Sequence, residues 1–183
     1  MKKAYLIHCW GGSSSSEPWY KWLKQELIKR GFKVIALDMP DTDNPKIEGW
    51  VDYLKKNIEN VDEETYFIGH SIGCQTIMRF LEKLHKHKKI GGCVFVAPWL
   101  DLINLEPEEI KIAHPWINSK IDFNRIKDHC NNFLFVFSTD DPLVHLDEAN
   151  KFKEKIGGKI IIKKNQGHFN STEKIQEILE FIK

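Results

Sequence analysis

No uninterrupted apolar run in this 183-residue sequence approaches the roughly 20 residues that a membrane-crossing helix needs. Lys2-Lys3 leads into only Ala4 to Ile7 before His8, too short an apolar stretch for a secretory leader, so a cytoplasmic location is expected. An excess of one charge is missing as well. The 27 Lys and Arg residues balance 26 Asp and Glu residues, a formal net charge of +1. Such a chain makes no field that would recruit nucleic acid or an anionic membrane surface, and it carries no basic patch interleaved with aromatics. Small neutral substrates fit it best. The four cysteines form neither a Cys-x-x-Cys pair nor a His/Cys cluster in sequence, which excludes a zinc site and a disulfide framework and fits a reducing compartment. Cys93 reads as a small core residue. Cys9 and Cys74 fall near one another in the expected fold, and burial rather than a redox role is their default. There is no Gly-x-Gly-x-x-Gly and no Gly-Lys-Ser or Gly-Lys-Thr, so Gly11-Gly12-Ser13 does not make a nucleotide-binding turn. No metal and no cofactor are expected. Repeats are absent, and Ser13 to Ser16 is the one low-complexity stretch.

What remains is a regular alternation of short apolar runs with helical patterns. Ala4 to Ile7, Val34 to Leu37, Tyr66 to His70, Cys93 to Val96, Phe133 to Phe137 and Ile160 to Ile162 read as strands. Helical periodicity appears near Trp19 to Lys29, Ile47 to Asn57 and Cys74 to Leu84, and Thr172 opens a last pattern. Helices between strands require right-handed crossovers and a parallel sheet, so the expectation is a three-layer α/β sandwich of about six mostly parallel strands in a single domain, residues 1–183. A chain of this size buries roughly 70% of its unfolded surface, enough for a sizeable core. Trp19, Trp22 and Trp50 sit in helical patterns and belong to that core.

One edge of such a sheet collects the carboxyl ends of the strands, and the chemistry-bearing residues fall there. Gly69-His70-Ser71-Ile72-Gly73 joins an apolar strand to a helix, the spacing of a sharp turn that pushes one hydroxyl out of the sheet edge. Ser71 is the candidate nucleophile. This kind of turn works with an acid and then a base later in the chain, each just past a parallel strand. Phe133 to Phe137 runs into Ser138-Thr139-Asp140-Asp141-Pro142, and Ile160 to Ile162 runs toward Gly167-His168-Phe169. His168 is the candidate base and Asp141 the residue that orients it; Asp140 is placed to cap the turn. His145 lies too close to Asp141 in sequence to reach round to Ser71. For the oxyanion, the expected donors are the main-chain N–H of Ile72 and, from the loop His8-Cys9-Trp10-Gly11-Gly12, that of Trp10, with Cys9 as the nearest alternative. Pro98 to Ser119 reads as a small partial lid, and its Trp99 and Trp116, together with Trp10, are the candidate substrate-binding residues.

Gly69 to Gly73, Ser138 to Pro142, Gly167-His168-Phe169, and Asp38-Met39-Pro40 with the following Trp50 together resemble the small serine hydrolases typified by bacterial YdeN and human retinoblastoma-binding protein nine. The similarity runs from the first strand to the last helix. It implies an α/β-hydrolase fold without a large cap domain and a triad of Ser71, Asp141 and His168. His8-Cys9 stands where the bacterial members have His-Gly. None of the four cysteines has Leu two positions before and Glu two after, so binding to a retinoblastoma-type pocket protein is not carried over. The expectation is a serine esterase acting on a small acyl substrate, ahead of an amidase or thioesterase with the same triad and of a non-catalytic binding module on the same fold.

Overall fold

The computed structural model describes residues 1–182. Strands β1 (Lys3–Ile7), β2 (Lys33–Leu37), β3 (Thr65–His70), β4 (Gly92–Val96), β5 (Phe133–Ser138) and β6 (Lys159–Lys163) form one parallel sheet in the order β2-β1-β3-β4-β5-β6. Helices α1 (Pro18–Lys29) and α7 (Gln176–Phe181) pack together, and α2 (Ile47–Asn57), α3 (Ile72–Glu82) and α5 (Phe123–His129) form a second group. Helix α4 (Pro107–Asn118) lies between β4 and α5, and α6 (Glu148–Lys155) between β5 and β6. This is an α/β-hydrolase architecture. No helix among the described residues is long and apolar enough to cross a membrane.

The apolar runs become central strands because both faces are covered: every residue of β3, β4 and β5 is buried. Their aromatics continue into the helical layer, with Phe95 on Phe135 at 5.6 Å and Phe135 on Phe152 of α6 at 5.1 Å. Trp19 and Trp50 are fully buried, and Trp22 is half-buried against the same core. At the end of α1, Gly31 takes φ +81°, and Phe32 N–H reaches back to Leu27 O while Gly31 N–H reaches Ile28 O. This left-handed stop satisfies the last carbonyls and turns the chain straight into β2.

The structure corrects three element readings. Ile160 to Ile162 has the unbroken apolar composition of a buried strand, yet β6 is an edge strand with Ile162 half exposed, since no strand among the described residues pairs beyond it. The last helix starts at Gln176 rather than Thr172, whose hydroxyl instead donates to Gln166 Oε1 at 3.1 Å within a turn. Helix α3 starts at Ile72, two residues before Cys74, so Ser71 is the whole link between β3 and α3.

The topology decides where function can sit. From β1 the chain passes outward to β2, then returns across β1 to β3. Beside this reversal the loops after β1 and β3 diverge, which opens a crevice at the carboxyl edge of the sheet.

Candidate active site

Ser71 stands in that crevice with φ 52° and ψ −117°, a conformation that costs a non-glycine residue about 1–3 kcal/mol. The surroundings hold it there. Its N–H donates to Val96 O at 2.9 Å and its carbonyl accepts from Cys74 N–H at 2.9 Å. Its Oγ accepts the indole N–H of Trp99 at 3.2 Å, a contact between two buried side chains.

The carboxylate and imidazole meet as a pair. His168 Nδ1 lies 2.8 Å from Asp141 Oδ2 and 3.0 Å from Oδ1, and both side chains are almost fully buried. Asp141 Oδ1 also accepts the N–H groups of Leu143 and Val144 at 2.9 and 3.0 Å, so the turn that follows fixes its carboxylate plane. Asp140 has a different task. It accepts Ser138 Oγ–H at 2.6 Å and Gly167 N–H at 2.9 Å, tying the loop after β5 to the loop that carries His168, and these two donors hold its carboxyl below the usual range. His145 is exposed, beside Asp147, and takes no part. Burial pulls the His168 imidazole below its ordinary pKa of 6.5, against the opposing effect of its hydrogen bond to Asp141.

Ser71 and His168 line one cavity of about 290 Å³. Cys9, Trp10, Gly11 and Asn170 also border it, Trp99, Leu102, Leu105 and Leu143 give it apolar walls, and Glu109 stands at the start of α4. The lid segment therefore reaches the cavity with its first half. Trp116, expected on the substrate, does not line this cavity. It is buried at 6.3 Å from Trp50, under the Arg79 guanidinium, and donates its indole N–H to Pro45 O at 2.9 Å. The inner face of α4 carries it away from the cavity.

Two main-chain N–H groups belong to residues beside this site: Ile72 follows Ser71 in the chain, and Trp10 lines the cavity. Ile72 is the first residue of α3, where an N–H has no intrahelical acceptor. In the loop after β1, Cys9 N–H is bound to Glu17 Oε1, Gly11 N–H to Thr42 O and Gly12 N–H to Cys9 O. The Trp10 N–H between them has no protein acceptor among the described residues. A hydroxyl, a neutral imidazole held by a carboxylate, and free N–H groups can together support attack on an acyl carbon.

The chain is similar to known proteins along almost its whole length. Residues 4–180 match the model of the serine hydrolase family. The chain belongs to that family. It is 28% identical to YdeN of Bacillus subtilis over 172 residues, 94% of this chain and 88% of that protein. It is 26% identical to the serine hydrolase RBBP9 of Rattus norvegicus over 176 residues, 94% and 89% of the two chains. The crystal structure of the B. subtilis ydeN gene product superposes with a TM-score of 0.88 at 25% identity, covering 98% of this chain and 96% of that one. Carboxylesterase CesB of B. subtilis shares the fold, with a TM-score of 0.69 at 16% identity over 99% and 83% of the chains.

Within this serine hydrolase, one buried cluster has no counterpart in the sequence reading. Cys9, Glu17 and His70 are the only His, Cys or acidic side chains among the described residues that gather closely enough to share an ion, their donor atoms lying within 4.8 Å. Glu17 Oε1 and His70 Nδ1 are 2.9 Å apart, within ion-pair distance. Sequence spacing hides the cluster because Cys9 and Glu17 come from the loop between β1 and α1 and His70 from the end of β3, more than fifty positions on. The Trp99 indole contact was equally hidden. Leu143, two residues after Asp141, was the wall residue closest to a recognised motif.

Proposed function

We propose that this serine hydrolase is a carboxylesterase that cleaves a small neutral ester through an acyl-enzyme on Ser71. The observation that carries the reading is the shared cavity of Ser71 and His168 with Asp141 gripping the far ring nitrogen. His168 Nε2 takes the Ser71 hydroxyl proton as Oγ bonds to the acyl carbon, and the carbonyl π electrons move onto its oxygen. The N–H groups of Ile72 and Trp10 receive that oxyanion. As the tetrahedral centre collapses, the C–O bond to the alcohol breaks and His168 hands the alcohol its proton. Water then repeats the sequence on the acyl-enzyme and frees the acid and Ser71.

The carboxylesterase CesB shares the fold, and the apolar walls from Trp10, Trp99, Leu102, Leu105 and Leu143 suit a short acyl group. The four cysteines are unpaired and buried, which favours a reducing cytoplasm as the place of work. A fluorophosphonate probe tests the assignment: it is expected to label Ser71 in the wild type, not to label Ser71→Ala, and to label His168→Ala far more slowly. An unlabelled wild type would make the chain a non-catalytic member of the fold. Screening p-nitrophenyl esters of rising chain length against the matching amides and thioesters then ranks the bond types.

The pH dependence has a fixed sign. A base with its pKa lowered by burial is protonated, and inactive, only in more acidic solution. The profile of kcat/KM is therefore expected to rise with pH and reach half its plateau below pH 6.5. A midpoint above that value would contradict the assignment of His168.

A further inference from the structure

Behind the base lies a charged pair to which the mechanism above gives no task. His70, next to Ser71 in the chain, is fully buried. Its Nε2 is 2.7 Å from the main-chain carbonyl of His168, and since a carbonyl only accepts, that nitrogen carries a proton. Its Nδ1 lies 2.9 Å from Glu17 Oε1, within ion-pair distance but outside hydrogen-bond alignment, and Glu17 is itself buried. The same oxygen accepts Cys9 N–H at 3.3 Å, while Oε2 is buried with no hydrogen-bond partner among the described residues. One proton is left to assign, to the carboxylate or to Nδ1. Imidazole is the stronger base by about two pK units, and the Cys9 N–H favours the charged carboxylate, so the proton sits on the ring.

Resting on the reading of His168 as the base, we propose that Glu17 and His70 are positioning residues. As carboxylate and imidazolium they hold the His168 main chain from behind and set how acidic the medium must be before the His168 ring is protonated. The two imidazole rings are 5.0 Å apart and tilted by 37°, so a cation on His70 disfavours a second cation on His168. The titratable groups near the two rings complete this balance. From the loop after β1, His8 is neutral, because its Nε2 accepts Met39 N–H at 2.9 Å and its Nδ1 donates to Cys9 O at 2.7 Å. Burial pushes the Cys9 thiol up and keeps it uncharged. Burial does the same for Tyr20 of α1, which donates to Ile7 O at 2.6 Å. The carboxylates of Glu17 and Asp141 complete the set. Burial opposes charge on His70, yet the Glu17 carboxylate prevails and pushes it up to about 10. At His168 the repulsion from His70 outweighs the attraction from the more weakly felt Glu17. Glu17 thereby ties three loops together: through Cys9 N–H the one that carries Trp10, through His70 those of Ser71 and His168.

Nitrogen-15 spectra of histidine-labelled wild-type protein are expected to show both ring nitrogens of His70 protonated from pH 6 to 8.5, and the same in Ser71→Ala, where no turnover contributes. In Glu17→Gln, His70 is expected to lose one ring proton near neutrality. With p-nitrophenyl acetate, kcat/KM at pH 6 relative to pH 8.5 then falls by about threefold or more, as the His168 ring is no longer beside a cation. A merely structural role would lower kcat/KM alike at both pH values. If Glu17→Gln does not fold, His70→Gln keeps a donor to the His168 carbonyl without the cation, and Glu17→Gln/His70→Gln removes both charges; each must move the acid limb the same way. A singly protonated His70 in the wild type, or an acid limb unmoved in these variants, overturns the proposal while fluorophosphonate labelling of Ser71 still stands. A doubly protonated His70 with Ser71 unlabelled defeats the hydrolase reading instead, and with it the positioning role.

Discussion

Asp141→Asn is expected to lower kcat/KM by about four orders of magnitude while leaving the fold intact. The reason lies in which oxygen does what. Oδ1 accepts the N–H groups of Leu143 and Val144, and an asparagine carbonyl oxygen can take that place unchanged. Its amide NH₂ then occupies the position of Oδ2, 2.8 Å from His168 Nδ1. A donor there obliges Nδ1 to become the acceptor, and the ring proton moves to Nε2, where it blocks proton transfer from Ser71. Steady-state kinetics on a p-nitrophenyl ester measure the loss, and the unfolding midpoint of the same sample shows whether stability is kept. A variant within tenfold of wild type would remove Asp141 from the triad.

The second large effect is on stability. Gly73→Ala is expected to cost about 3 kcal/mol or more, at the top of the range for overpacked cores, which lowers the melting temperature by about 6 °C or more at this chain length. A methyl group at Gly73 would stand 2.2 Å from Ile7 O and 2.8 Å from His8 O. Both obstacles are main-chain atoms at the end of a buried strand, so no side chain can swing aside to make room. Relief requires α3 to lift from β1, which separates the Ile72 and Trp10 N–H groups and should reduce turnover as well. Gly49 in α2 is the control. There a methyl group meets nothing nearer than Lys46 Cβ at 4.0 Å, and Gly49→Ala is expected to stabilise by about 0.5–1 kcal/mol from helix propensity. Thermal or urea unfolding of the two variants checks the contrast; equal stability would mean that β1 and α3 are not held this close.

The candidate site was legible to the extent that it follows from local pattern. The apolar runs Tyr66 to Ile68 and Phe133 to Phe137 mark Thr65–His70 and Phe133–Ser138 as strands, and a residue just past a parallel strand must lie at its carboxyl edge. Ser71, Asp141 and His168 were placed in this way. The preference for Asp141 over Asp140 agrees with the hydrogen bonds, because the turn at Pro142 directs one carboxylate onto His168 while the other binds Gly167 N–H. Edge and centre were less legible. Ile160 to Ile162 has the composition of a central strand, and only the sheet order leaves it at the border. Trp116 and Trp99 share a segment and a residue type, yet one packs under Arg79 and the other donates to Ser71 Oγ. Nothing in their spacing separates those fates.

The sequence by itself determined the alternation of strands and helices, the parallel sheet and the edge on which the reactive side chains emerge, because hydrophobic period and chain order act over a few residues at a time. Tertiary structure alone decided which residues stand behind and around them: the Glu17–His70 pair, the indole on Ser71, the unclaimed N–H of Trp10 and the walls of the cavity. Those contacts join segments far apart in the chain, and their existence depends on strand order and on helix packing to within a few tenths of an ångström.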